Sequence, residues 1–314
     1  MSIDSAQSQV QDNLMSTDSE LLDRADALVS QGNYRHAIDL LATEGRYDDP
    51  AVSRRLIDLR IDAYGQLQWP APHDHWPPAY DNRFDDVEGF PEVRFEDLTV
   101  EDLKAGILGK GGLIVRGMMK PERVEQMREN IDRTLEARRA QSQDEPGAEE
   151  NPWHQRSSSV IGGPAQFRGG TRYTNIGSAW TVDSPPSAFQ AIEFFKEAGL
   201  PALLGGYFEE EPVLSVRKWV VRCAAPNNGA SAGWHQDGQF LGDPLSIRTA
   251  NLWVALTDCG GDADAPGMEI IGGTERKIFE VGTHGAPFKW TVGPELVEQI
   301  AREHPIQCPR FNAG

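Results

Sequence analysis

GWHQDGQFLG, residues 233–242, and RTANLWVALTDCGGDADAPGMEIIGGT, residues 248–274, are the two stretches whose reading decides the fold. Both read as β-strand text punctuated by Gly, Asp and Pro, and VLSVRKWVVRCAAP, starting at Val213, reads as a strand before them. Their order suggests an antiparallel barrel. Successive side chains on a strand point to opposite faces, so His235 and Asp237 project together while Trp234 and Gln236 project the other way. The same alternation puts Thr249, Asn251 and Trp253 on one face of the following strand, where polar side chains facing inward require partners.

An imidazole and a carboxylate side by side are two thirds of a facial triad. Joined by a histidine from elsewhere, such a pair binds Fe(II) and leaves coordination positions open. His-x-Asp alone is common by chance, so its surroundings decide. In order along the chain stand GGLIVRGMMKPERVEQMRENIDRTLEA from Gly111, GWHQDGQFLG from Gly233, and TANLWVALTDCGGDADAPGMEIIGGT from Thr249. This succession resembles the phytanoyl-CoA dioxygenase family of iron- and 2-oxoglutarate-dependent oxygenases, from about Leu103 onward. The resemblance implies an α+β protein built on a double-stranded β-helix, a cupin-like jelly roll with flanking helices. It implies His235 and Asp237 as metal ligands and catalytic residues, with Fe(II), 2-oxoglutarate as cosubstrate and O2. The row Thr249, Asn251, Trp253 becomes a candidate wall for the cosubstrate, Trp253 standing where the family often places an aromatic. Lys218, on the preceding strand, is a candidate for reaching its carboxylate. The implied reaction converts 2-oxoglutarate to succinate and CO2 while a C–H bond of a small organic substrate is hydroxylated.

The family pattern continues with Phe-x-Ala-Gly-Asp, an apolar strand, the third ligand histidine and then an arginine for the cosubstrate. Here the text reads Phe311-Asn312-Ala313-Gly314. The expectation is that the chain is a C-terminally truncated fragment of a longer enzyme, since a barrel stopped at this point would expose unpaired strand edges. His284, in VGTHGAPF, and His304, in REHPIQCP, do not occupy the matching position.

Upstream, Leu21, Leu22, Ala25, Leu28 and Val29 recur at helical spacing up to Gly32. Tyr34, Ala37, Ile38, Leu40 and Leu41 mark a second helix, and Asp49-Pro50 opens a third around Leu56, Ile57, Ile61 and Tyr64. ALVSQGNYRHAIDLL resembles the corner of a tetratricopeptide-type helix pair, although one unit cannot form a solenoid. The expected division is a helical appendage over 1–66, a Pro- and Asp-rich connector over 67–90, and the oxygenase domain over 91–314 lacking its last strands. The connector's His73 and His75 read as surface residues between prolines. A strand is expected at Leu113–Arg116, a long helix from Pro121, and another near Ala188–Ala198. Between them lies a Gly-rich stretch over 141–186, in which Gln166, Arg168, Arg172 and Tyr173 are candidates to face a substrate. GILGKGG fails the phosphate-loop pattern because Gly111 follows Lys110.

Among 314 residues the formal net charge is -18, which disfavours nucleic acid and anionic lipid as partners. No signal sequence or run of 18 apolar residues is present, and Cys223, Cys259 and Cys308 form no Cys-x-x-Cys pair. The expectation is a cytoplasmic protein acting on a small molecule, with the N-terminal helices as a possible protein-docking surface. The rival reading is a catalytically incomplete barrel serving as a binding or scaffold module.

Overall fold

The helices begin where the local chemistry tells them to. In the computed structural model, which describes residues 18–45, 49–67, 76–157, 177–215, 219–224, 233–237, 248–274 and 277–314, residues 18–30 are helical and the chain turns at Gly32. Gly32 has φ +78°, a left-handed conformation that a side chain would strain. Helix Tyr34–Glu44 follows. Asp49 then caps helix Pro50–Gly65, its carboxylate accepting from the amides of Ala51 and Val52 at 2.9 Å each. Proline at the first helical position gives up no hydrogen bond there.

The chain divides into two compact units. The first comprises Met1–Gln68, Glu129–Phe194 and Val213–Cys223, and the second Trp69–Arg128, Phe195–Pro212 and Ala224–Gly314. In the first, Ala25, Ala37, Leu41, Leu56, Ile57 and Leu59 are fully buried. Their core takes in Ala188, Phe189 and Ile192 of helix Pro185–Glu197, with Val182 and Trp219 packed against it. A short antiparallel pair completes this unit, with Ser178 opposite Arg222 and Trp180 opposite Val220.

A buried histidine in this unit sets a pH response. His154 is 5% exposed and its Nδ1 has no hydrogen-bond partner among the described residues. Burial pushes its pKa below the ordinary histidine value; Asp183 pulls it up, while Arg138 and Arg156 push it further down. The folded state therefore keeps His154 neutral where the unfolded chain would take up a proton. Stability contributed in this way is complete above the unfolded pKa of about 6.5 and is lost as pH falls below it, at up to about 1.4 kcal/mol per pH unit per proton. Urea unfolding between pH 7 and 5 is expected to give a shallower pH slope for His154→Phe than for the wild type. Equal slopes would remove His154 from the account.

The second unit opens with strand Glu92–Arg94 parallel to Ile114–Arg116. Between them helix Val100–Lys104 starts on a reciprocal cap, in which Asp102 N donates to Thr99 Oγ1 and Thr99 N donates to the Asp102 carboxylate. Leu103, Tyr207 and Phe208 are its buried centre, with Trp76, Leu113, Leu203 and Ala250 around them. Trp76 meets the Tyr207 ring edge-on at 5.7 Å and stacks on Phe208 at 6.1 Å. Helix Pro294–Ala301 and single bridges Cys259 to Phe311 and Ile270 to Gln307 close the C-terminal part.

Mixed α and β structure is what the sequence called for; the helices at Pro50 and Pro121 and the strand ending at Arg116 lie where expected, and the helix expected near Ala188–Ala198 spans Pro185–Glu197. The strand content is smaller. Among the described residues there are four three-residue strands in two two-stranded sheets. Residues 248–260, expected as a strand, carry no strand ladder among the described residues; their backbone pairing with distant segments is limited to Ala255 O accepting from Gly314 N and the bridge at Cys259. Strand geometry needs a hydrogen-bonded neighbour, and among the described residues none pairs with the first half of the segment. Among the described residues no helix is long and apolar enough to cross a membrane.

Candidate metal site

His235 and Asp237 are brought together, but not by a strand. Residues 233–237 run through a bend at Trp234 without a ladder. Gly233 has φ +75°, and a Cβ there would lie 2.8 Å from the Thr291 methyl, so both conformation and space call for glycine. The Trp234 carbonyl accepts from Val292 N at 2.7 Å. The Gln236 side chain turns to another segment, donating to Lys277 O at 2.8 Å and accepting from Phe279 N at 2.9 Å.

This leaves the two candidate ligands side by side, with His235 Nε2 3.5 Å from Asp237 Oδ1. His235 Nδ1 lies 2.9 Å from Gly233 O. A carbonyl oxygen only accepts, so Nδ1 carries a hydrogen, and Nε2 is the ring nitrogen that faces Asp237. The imidazole meets the edge of Trp290 at 5.5 Å, and Trp290 is itself stacked on Phe288 at 5.5 Å. On the other side, Asn251 Nδ2 donates to Asp237 Oδ2. Each candidate ligand thus has one polar atom tied to the protein and the other directed at its neighbour, which is the arrangement that outer partners give to metal ligands.

The spacing fits a shared cation. Nitrogen and oxygen donors each about 2.0–2.2 Å from one ion, at angles between 90° and tetrahedral, stand about 3.0–3.5 Å apart. Among the described residues no group of three His, Cys, Asp or Glu side chains could hold a metal, so the third position is not supplied there. His284 stands between Glu280 and Glu295, at 3.8 and 4.0 Å, and His304 lies beside Gly273.

The other expected site residues fare differently. Asn251 is engaged with the Asp237 carboxylate. Trp253 is 47% exposed with its ring against Phe311 at 4.7 Å, and Thr249 is exposed. Lys218, His73, His75, Gln166, Arg168, Arg172 and Tyr173 lie outside the described residues. Sequence reading missed Gln236 and Trp290 as partners of the pair. Alternation placed Gln236 on the far face, but nothing local announced which backbone it would meet.

The bent segment presents an imidazole and a carboxylate side by side, two of the three ligands that a facial triad uses. Residues 198–303 match the family model described as phytanoyl-CoA dioxygenase (PhyH). The match spans about a third of the chain and includes His235, Gln236, Asp237, Asn251 and Trp290, so this segment is similar to the family that the sequence resembles. The upstream resemblance over 111–137 lies outside the matched residues. No curated protein and no solved structure matches the chain.

Proposed function

We propose that this chain contains the metal-binding part of an Fe(II)- and 2-oxoglutarate-dependent dioxygenase that hydroxylates a small organic molecule, within a cupin-like jelly roll. The observation that carries the reading is the His235–Asp237 pair, 3.5 Å apart with its outer atoms already tied, inside a segment matched by the phytanoyl-CoA dioxygenase family. Members of that family generally use Fe(II), 2-oxoglutarate and O2. The bound iron would supply the oxidative decarboxylation of 2-oxoglutarate that drives hydroxylation.

This chain's residues have narrower tasks. His235 would offer Nε2 to the metal while its Nδ1–H donates to Gly233 O and fixes the ring orientation. Asp237 offers Oδ1 and brings the negative charge that offsets part of a divalent cation's, while Asn251 stops the carboxylate from rotating. Trp290 covers one edge of the imidazole and limits water there. Thr249, Trp253 and Lys218 remain proposed for the cosubstrate side.

The experiment is a 2-oxoglutarate turnover assay on the protein with and without added Fe(II). Succinate is expected only when Fe(II) is present. Metal retained without 2-oxoglutarate consumption would favour another cupin-like metal site, and no metal retained at all would favour the scaffold reading. A finer check falls on Asn251. Asn251→Ala is expected to weaken Co(II) binding about tenfold, with the unfolding free energy moved by no more than about 0.5 kcal/mol because the residue is exposed. Calorimetric titration reads the first quantity and urea unfolding the second.

A further inference from the structure

We infer that Gln236 is a positioning residue that couples the 277–292 segment to the His235–Asp237 pair, so that metal binding and the order of that segment rise and fall together. This rests on the reading of the pair as a metal site. Gln236 stands between the two ligands in the chain, so its backbone sets their relative orientation. Its carboxamide is spent entirely on backbone groups of one other segment. Nε2 donates to Lys277 O at 2.8 Å, with Thr274 O at 3.5 Å, and Oε1 accepts from Phe279 N at 2.9 Å. Donor and acceptor are used together, a pairing that neither a carboxylate nor an ammonium reproduces.

The same segment returns to the site at its other end. Val292 N donates to Trp234 O, the Trp290 edge meets the imidazole, and the Thr291 methyl occupies the space beside Gly233. Residues 233–236 are therefore held from both ends of 277–292, and Gln236 is the side chain that supplies one of those holds. Cation binding fixes His235 and Asp237, and through Gln236 that constraint passes to the backbone at 277–279. Partners one shell out from a metal typically change its affinity 10–100-fold.

The test uses the full chain and Co(II) alone, read by its visible absorption bands, together with amide hydrogen exchange. In the wild type, Co(II) is expected to slow exchange at the Phe279 amide. Gln236→Ala should bind Co(II) about 10–100-fold more weakly, and its Phe279 amide should exchange faster and no longer respond to Co(II). Gln236→Glu separates this from a space-filling role. It keeps the volume and the acceptor for Phe279 N but sets a carboxylate against the Lys277 and Thr274 carbonyls, and it should lose affinity as the alanine variant does. Wild-type affinity within twofold in both variants, or unchanged Co(II) protection of Phe279 in them, overturns the inference while leaving the metal site standing. A wild-type chain that does not bind Co(II) overturns the metal-site reading and the inference with it.

Discussion

His235→Ala and Asp237→Ala are each expected to abolish metal retention and all Fe(II)-dependent succinate formation. The loss should exceed the roughly 10–100-fold assigned to partners that do not touch the ion. His235 Nε2 and Asp237 Oδ1 are the facing atoms of the pair, and each residue's other polar atom is occupied, by Gly233 O and by Asn251. Removing either side chain leaves one donor where the arrangement provides two. Asp237→Asn is the sharper variant. It preserves the shape and an oxygen, but it removes the charge that offsets a divalent cation, and it is expected to bind Co(II) at least tenfold more weakly. Asp237 is 60% exposed in its side chain, so none of these changes should unfold the chain. Metal binding by both alanine variants at wild-type strength, with unfolding midpoints unchanged, would remove these residues from the site.

How much of this was legible beforehand differs by residue. His235 and Asp237 could be paired from a period of two, although the observed backbone is a bend, because the spacing i, i+2 also allows neighbouring side chains when the chain is held at Gly233 and Trp234. The helix starts at Pro50 and Pro121 were legible because proline at a first helical turn acts locally, whereas the helix expected near Ala188–Ala198 begins earlier, at Pro185. Asn251 was read as part of a cosubstrate wall and is found on the Asp237 carboxylate; choosing between those partners needs a distance across 14 residues that periodicity does not carry. Residues 248–260 read as a strand from their Val, Leu and Trp, yet β propensity expresses fit to a neighbouring strand, and the described distant segments reach only Ala255 and Cys259. Gln236 and Trp290 gave no signal, since one is an ordinary polar residue and the other an ordinary aromatic until the fold sets them against the pair.

Asp58→Ala is expected to cost about 3–5 kcal/mol of folding free energy, because it strands a buried cation. Helix Pro50–Gly65 presents Leu56, Ile57 and Ile61 to the core as its periodicity predicts, but Asp58 is buried on the same helix, and no apolar pattern anticipates that. Its Oδ1 accepts from Arg54 Nη2 at 2.8 Å and from Ser157 Oγ at 2.7 Å. Arg54 Nη1 donates in turn to Gln155 O and Val182 O, so one guanidinium joins the helix to two distant backbone segments. Removing the carboxylate leaves the guanidinium, with a side chain only 15% exposed, facing carbonyls alone. Removing both partners should recover only part of the loss. Arg54→Met with Asp58→Leu eliminates the unpaired charge, but it leaves the Gln155 and Val182 carbonyls without this donor, at about 1–3 kcal/mol for each that stays dry. The order of stability under urea is therefore expected to run wild type, double variant, Asp58→Ala. A double variant as stable as the wild type would mean that the carbonyls find water and that the network secures only its own charges. An Asp58→Ala loss below about 1 kcal/mol would mean that Arg54 swings out to solvent, and that the three segments are held by Leu56, Ile57 and Phe189 without it.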